Sequence, residues 1–199
     1  MKLADGNAVQ IKPVDLPDEF DEVIQSWDMA FKDLKDSDYV AGGVWGSKGA
    51  NRYLLDQRRE RLDFPGTVAA VELMSERYPK ARVKLVEDKA NGPAVIATLR
   101  NKIGGLIAVN PEGGKIARAN AVSPLVESRN VFLPHPAIAV WVEAYLEELA
   151  TFPASRNDDQ VDQTTQALLR IRTRPRQVPQ PTYVYDPYSR CHGEYAWMS

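Results

Sequence analysis

The chain has 199 residues, of which 44% are hydrophobic and 26% are charged, the composition of a soluble globular protein that can bury a core. The formal charge of −2 excludes a globally basic nucleic-acid binder, although a local basic surface can still attract phosphates. The single cysteine, Cys191, excludes an internal disulfide framework and a cysteine-rich zinc site, which suits a reducing cytoplasm.

The first part of the chain predicts an arm followed by three strands. Residues 1 to about 20 are polar and contain prolines, and we interpret them as a linker or arm. Strands are predicted over residues 22–27, running into Asp28, and over residues 39–45 and 52–56. Because the connection between the second and third strands is rich in turn residues, the three strands are expected to form an antiparallel meander.

The second part alternates helices with short strands. Apolar spacing predicts five elements: a helix over 65–78, a strand over 82–86 that ends at Glu87, a helix over 91–103, a strand over 106–109 and an amphipathic helix over 138–149. A last helix is predicted from about 158 to 171, with Asn157 as its N-cap, and Trp45, Trp141 and Tyr145 are predicted core residues. This order predicts a mixed α/β layer fold, followed by an extended Arg/Pro- and Tyr-rich tail over 172–199.

Acidic residues fall at the ends of these elements. Asp28 ends the first strand, Glu87 ends a later strand, and Asp158, Asp159 and Asp162 open the last helix. At about 100° per residue, the three helical acids crowd one side of the first turn. Converging carboxylates repel each other unless a cation neutralises them, and oxygen ligands of this kind favour Mg²⁺ or Mn²⁺ over zinc. The spacing therefore suggests metal-assisted phosphoryl chemistry.

Each acid also has a purely structural interpretation. Asp158 and Asp159 are favoured in the first turn of a helix by capping and by the helix dipole. Asp28 is equally compatible with a solvated strand end, and Glu87, close to Lys89, with an ordinary charged turn. From the residues alone, the metal site is a hypothesis.

Four stretches of the chain, with a basic segment between the third and the fourth, carry a family resemblance. They are SWDMAFK at 26–32 followed by SDY at 37–39, YLLDQ at 53–57, VEDKANG at 86–92, and FP at 152–153 leading to NDDQVD at 157–162, with KIARA at 115–119 as the basic segment. From about residue 20 to 171, their order and spacing resemble the C-terminal nuclease domain of the large terminase subunits of tailed bacteriophages.

The resemblance implies a ribonuclease-H-like fold and a two-metal endonuclease, with two Mg²⁺ or Mn²⁺ ions, that cuts concatenated viral double-stranded DNA to start and end packaging. It implies that Asp28, Glu87 and Asp158 are the principal catalytic metal ligands, with Asp159 and Asp162 as helpers or alternates. Which of the paired acids at 158 and 159 binds metal stays open. Many relatives have histidine immediately before this pair, where the present chain has asparagine, so a histidine contribution is not expected here.

The resemblance also implies partners and a location. It implies an ATPase domain, a small terminase subunit and a portal protein as partners, and action in the cytoplasm of the infected bacterial host rather than in the mature virion. No G-x-x-x-x-G-K-[ST] phosphate loop occurs, so we expect a nuclease domain over 21–171, excised or as a gene fragment, that cannot translocate DNA by itself. Neither a secretory signal nor a membrane span is expected, because no run approaches roughly 20 apolar residues.

Basic residues provide candidate DNA contacts. Lys115 and Arg118, spaced as on one helical turn, are predicted to meet phosphates, with a solvated basic face as the alternative. Arg58 and Arg59, which we place after the third strand, are further candidates, although charge runs usually face solvent. Lys89 either steers phosphate towards the acids or pairs with its neighbouring aspartate.

Two other functions remain compatible with the sequence. One is a different nuclease of the same fold, such as a junction resolvase, which would prefer branched DNA. The other is a non-catalytic assembly module of the packaging motor, whose acids have become structural. A salt-bridged acidic cluster that binds no divalent ion would indicate the second.

Overall fold

The computed structural model describes residues 14–29, 39–88 and 92–173. Lys89, residues 1–13 of the predicted arm and residues 174–199 of the predicted tail lie outside the described residues. The elements are, in chain order, β1 (Glu22–Met29), β2 (Val40–Lys48), β3 (Asn51–Glu60), α1 (Phe64–Arg77), β4 (Ala81–Glu87), α2 (Gly92–Leu99), β5 (Leu106–Val109), α3 (Lys115–Glu127), β6 (Val131–Phe132), α4 (Val142–Thr151) and α5 (Asp159–Thr173).

The strands form one mixed sheet in the order β5-β4-β1-β2-β3-β6. β1, β2 and β3 pair antiparallel, as the predicted meander requires, whereas β4 is parallel to β1 and β5 is parallel to β4. The predicted mixed α/β layer fold is therefore confirmed. No helix in the described ranges is long and apolar enough to span a bilayer.

The sheet buries a separate hydrophobic cluster on each face, as the period-two alternation of strand side chains requires. On one face, Trp27 and Val44 pack with residues of α1 and α2, including Val71 and Leu99. On the other face, strand residues pack with residues of α3, α4 and α5: Ile24, Trp45, Leu54, Leu85, Val122, Tyr145 and Leu168. Asp28 shares the face of Ile24 and therefore lies on the same side of the sheet as α5.

Two helices differ from their predicted bounds. Helix α4 begins at Val142 rather than near residue 138, and Trp141 occupies its N-cap position. Ile138 is 82% exposed, so it does not belong to the apolar face of this helix. Trp141 is only partly buried, whereas Trp45 and Tyr145 are core residues as predicted. Helix α2 ends at Leu99, a few residues short of the prediction.

Of two further elements, one was predicted only as a single helical turn at Lys115 and Arg118 and the other was not predicted, and two predicted positions are wrong. Helix α3 continues from the basic segment to Glu127, and β6 pairs two residues with the start of β3. Arg58 and Arg59 lie inside β3 rather than after it, because that strand continues to Glu60. The N-cap of α5 is Asp158 rather than Asn157: the carbonyl of Asp158 accepts the first helical hydrogen bond, 2.9 Å from the amide nitrogen of Asp162.

Candidate metal centre

Asp28 and Glu87 meet at the carboxyl ends of two neighbouring parallel strands. β1 and β4 pair in a register that places Trp27 beside Val86, so the next residue of each strand is an acid. Burial raises the pKa of Asp28 well above its ordinary value, and the charge of Glu87 and a hydrogen bond between the two side chains raise it further. The raised pKa means that Asp28, with no cation beside it, favours its protonated form.

A third acid reaches the same place from helix α5. Asp162 is buried, and its charge is a further cause of the raised pKa of Asp28. Asp28, Glu87 and Asp162 line one cavity of about 370 Å³, and the cations Arg118 and Arg170 line it with them. The sheet edge thus combines acidic and basic groups around a space large enough for ions and part of a ligand.

The two predicted phosphate-binding residues of α3 pair with acids of α5. The Nζ atom of Lys115 lies 2.6 Å from Asp158 Oδ1 and 2.7 Å from Asp162 Oδ2. A terminal nitrogen of Arg118 lies 2.6 Å from Asp162 Oδ1. Burial lowers the pKa of Lys115, but the hydrogen bonds to Asp158 and Asp162 outweigh this effect and hold the pKa above its ordinary value. Lys115 and Arg118 therefore neutralise Asp162 and Asp158.

Asp159 is directed to a different set of partners, and neither Asp158 nor Asp159 lines the cavity. Arg59 places one nitrogen 3.3 Å from Glu148 and another 3.9 Å from Asp159. Burial, and then the charge of Glu148, raise the pKa of Asp159 to about 6, against the opposing effect of Arg59. Glu148 also accepts hydrogen bonds from the backbone and side chain of Gln160, each at 2.7 Å, and so holds the first turn of α5.

The predicted DNA-contacting arginines of β3 have partners within the chain. Arg58 pairs with Glu60 at 2.9 Å. Arg59, besides its ion pairs, lies 3.9 Å over the centre of the Tyr39 ring, in cation–π geometry. Their contact with DNA stays a prediction.

The donor chemistry of the cavity fits a divalent cation, although the acids are not yet arranged around one. Across the described ranges, no three acidic, histidine or cysteine side chains converge so as to hold an ion as they stand. Carboxylate oxygens are nevertheless the ligands that Mg²⁺ and Mn²⁺ prefer, and the repulsion that raises the pKa of Asp28 is what such a cation relieves. Each carboxylate oxygen of Asp162 already contacts Lys115 or Arg118, so these two cations compete with an ion for this carboxylate.

Several residues of this region escaped the sequence analysis, among them Glu112, which lines the cavity, and Gln166 and Glu148. Gln166 lines the cavity one helical turn after Asp162, and this i+4 spacing is a signal that the sequence contains. Glu148 has no such signal, because its contacts with Arg59 and Gln160 depend on how α4 folds back onto β3 and α5.

Residues 25–170 match the family described as the terminase RNaseH-like domain. The chain belongs to this family. The match covers the whole candidate centre, from Asp28 to Asp162, and confirms the resemblance found in the sequence. No curated protein sequence matches the chain significantly.

Solved structures of large terminases share the fold. The nuclease domain of the large terminase from bacteriophage SPP1, with bound Mn, is 17% identical with a TM-score of 0.56, covering 81% of this chain and 96% of that one. The large terminase nuclease from thermophilic phage G20c, with bound magnesium, is 17% identical with a TM-score of 0.58, covering 75% and 81%.

The large terminase from another thermophilic bacteriophage is 15% identical with a TM-score of 0.59. The similarity covers 78% of this chain but only 41% of that large terminase, so the present chain spans less than half of its length. Together, these comparisons confirm the predicted ribonuclease-H-like fold of a terminase nuclease domain.

Proposed function

We propose that this terminase RNaseH-like domain is a metal-dependent endonuclease that cuts concatenated viral double-stranded DNA during genome packaging. The observation that carries the proposal is the convergence of Asp28, Glu87 and Asp162 on one cavity that basic residues also line. The fold is that of nucleases crystallised with manganese or magnesium, which supports Mn²⁺ or Mg²⁺ as the ion. That two ions act together is part of the proposal.

Asp28, Glu87 and one acid of α5 would hold the ions. We assign the α5 position to Asp162, because it lines the cavity, and give Asp158 a supporting role, because it stands at the N-cap and outside the cavity. Asp159, bound to the Arg59–Glu148 pair, would support α5 rather than bind an ion.

The residues of the cavity divide the chemical work. A bound divalent cation would supply an activated water and stabilise charge on the leaving oxygen of a phosphodiester. Because its pKa is raised, Asp28 must lose a proton before it can bind an ion as a carboxylate. Arg118 and Lys115, which lie against Asp162, are placed to turn from carboxylate oxygens to phosphate oxygens of the DNA strand.

Family membership supports a proposal for the wider setting of this activity. We propose that residues 21–171 act beside an ATPase domain, a small terminase subunit and a portal protein, in the cytoplasm of an infected bacterium and not in the mature virion. In this proposal residues 1–20 are the interdomain linker and residues 172–199 a basic tail.

Plasmid cleavage by the purified chain tests the proposal. We expect cleavage with Mn²⁺ or Mg²⁺, none with EDTA, and loss of cleavage in Asp28→Asn and Asp162→Asn, with a smaller loss in Asp158→Asn. Asp56→Asn is a matched control. Asp56 lies on β3, outside the cavity, and pairs with Arg77 of α1. Cleavage that survives EDTA, or that survives in Asp28→Asn, contradicts the proposal.

One observation favours a second candidate function, a non-catalytic assembly module of the packaging motor. Asp158 and Asp162 are already neutralised by Lys115 and Arg118, as structural acids would be. Titration calorimetry with Mn²⁺ separates the two functions, because an assembly module of this kind binds no divalent ion at the cavity.

A further inference from the structure

Helix α5 buries polar side chains where a helix against a sheet normally buries apolar ones. Its middle turns carry the buried residues Gln160, Gln163, Thr164, Thr165 and Gln166. A buried polar group is costly unless it is hydrogen-bonded, so the bonds these side chains make are specific constraints on where the helix lies.

The side chain of Gln166 ties this helix to β1 immediately before Asp28. Its amide nitrogen donates to Ser26 Oγ at 2.9 Å and to the backbone carbonyl oxygen of Trp27 at 3.3 Å. The hydroxyl of Ser26 in turn donates to the carbonyl oxygen of Gln163 at 2.8 Å. Three hydrogen bonds therefore join the last residues before Asp28 to the turn of α5 that follows Asp162.

The sheet is shaped to let the helix come this close. Gly43 is the β2 partner of Ser26, and a Cβ atom there would collide with the side-chain amide of Gln163. The missing side chain at Gly43 therefore gives α5 the space in which Gln166 and Ser26 can reach each other.

We propose that Gln166 is a positioning residue that sets the separation of Asp28 on β1 from Asp162 on α5, and through it the affinity for a divalent cation. Gln166 lines the same cavity as both acids and lies one turn beyond Asp162 on the same side of the helix. The proposal rests on the function proposed above, since it takes both acids as ligands. Groups that orient metal ligands typically change metal affinity by about 10- to 100-fold when they are removed.

Mn²⁺ binding by titration calorimetry, on the wild-type chain and on Gln166→Met, tests the proposal. Methionine keeps the length of the side chain and removes both donated hydrogen bonds, so we expect Mn²⁺ affinity to fall about 10-fold or more. Gln25→Met is the matched control: Gln25 is also buried, on β1, but it bonds Ser75 and the Trp27 indole on the opposite face of the sheet. We expect this control to lose stability and to keep its Mn²⁺ affinity.

The outcomes separate this proposal from the function on which it rests. If the wild-type chain binds no Mn²⁺, the proposed function fails and the positioning role fails with it. If the wild type binds Mn²⁺ and Gln166→Met binds it equally tightly, only the positioning role is overturned. Equal weakening in both variants also overturns it, because general loosening of the fold then explains the loss.

A second variant covers the case in which Gln166→Met does not fold. Ser26→Ala removes two of the three hydrogen bonds with a minimal change in volume. Weakened Mn²⁺ binding by folded Ser26→Ala supports the proposal, and unchanged Mn²⁺ binding overturns it.

Discussion

On one face of the central sheet, Trp27 packs against apolar side chains of α1 and α2, whereas on the other face its neighbours Ser26 and Asp28 meet the polar residues of α5. Apolar contacts are non-directional, and they stabilise in proportion to the area they remove from water. Hydrogen bonds and ion pairs add little net stability but require particular distances and angles. Both faces bury apolar side chains, but we infer that the contacts of Trp27 serve mainly stability, whereas the polar contacts of Ser26 and Asp28 fix the candidate metal ligands.

Two adjacent glycines of β2 show how closely each face is packed. A Cβ atom on Gly42 would collide with the ring of Trp27, and one on Gly43 would collide with the amide of Gln163. The sheet is therefore in tight contact on both sides at the point where β1 leads into Asp28. What differs is the neighbour, a rigid ring on one face and the end of a flexible side chain on the other.

The largest effect on stability is expected from the apolar face. Leu99 is fully buried on α2, and Leu99→Ala should lower the free energy of unfolding by about 2–5 kcal/mol, through lost burial and a residual cavity. Urea denaturation measures this loss. Mn²⁺ affinity of the folded variant should not change, and a large change would contradict the division of roles between the two faces.

The two glycines provide a matched pair of smaller changes. Gly42→Ala forces a methyl group against the Trp27 ring and should cost about 1–3 kcal/mol, the usual range for overpacking. Gly43→Ala meets the movable end of Gln163, so it should cost less stability but should weaken Mn²⁺ binding by displacing α5. Thermal unfolding should show the larger loss of stability in Gly42→Ala, and Mn²⁺ calorimetry the larger loss of affinity in Gly43→Ala. If one variant shows the larger loss in both measurements, this prediction is contradicted.

The spacing of apolar residues was sufficient to predict the elements that bury a regular apolar face. The meander and the strand that delivers Glu87 were predictable, because short runs of strand-forming residues are separated by turn-rich connections or by a predicted helix. Helix α3 was not predictable in full, because Arg118 and Val122 are the only buried residues among those the structure describes in this helix, and no apolar stripe forms.

The acidic and basic residues of the candidate metal centre were predictable from the sequence, but the ion pairs between them were not. The start of α5 shifts by one residue from the prediction, so Asp158 stands at the N-cap. Asp162, one turn further along the helix, lines the cavity, whereas Asp158 does not. The ion pairs of Lys115 and Arg118 join residues 43 and 44 positions apart, a separation on which local sequence patterns carry no information.

A smaller effect, with a pH dependence, is expected at Glu148. Glu148→Gln removes a charge that raises the pKa of Asp159, so this pKa should fall from about 6 towards its ordinary value. Asp159 contributes stability below about pH 4, and this contribution is lost as the pH rises through its folded pKa of about 6. The variant should lose about 1 kcal/mol from weakened hydrogen bonds at neutral pH but show a shallower decline between pH 4 and 6.

Urea denaturation at several pH values measures this difference. Glu147→Gln is the matched control, because Glu147 is the adjacent residue of α4 and is exposed. Its stability should follow the wild-type pH profile. An unchanged profile in Glu148→Gln would mean that Glu148 does not control the ionisation of Asp159.

The smallest effect on stability, and the sharpest test of the polar face, is expected at Lys115. Its side chain is 45% exposed, so Lys115→Met should change stability by less than about 1 kcal/mol. The ammonium group nevertheless neutralises two acids that a metal ion needs. Removing this competitor should tighten Mn²⁺ binding by up to about fivefold, the factor that corresponds to about 1 kcal/mol for an ion pair whose lysine is half-exposed.

Mn²⁺ calorimetry on Lys115→Met and on Lys102→Met tests whether Lys115 competes with the metal ion for the acids or holds the acids in place for it. Lys102 is similarly exposed and forms an ion pair of similar length, 2.8 Å, with Glu72, so its loss should leave Mn²⁺ binding unchanged. DNA affinity should fall in Lys115→Met alone if the freed ammonium group moves to phosphate. Weaker Mn²⁺ binding in Lys115→Met would reverse the interpretation, because Lys115 would then organise the acids for the ion instead of competing with it.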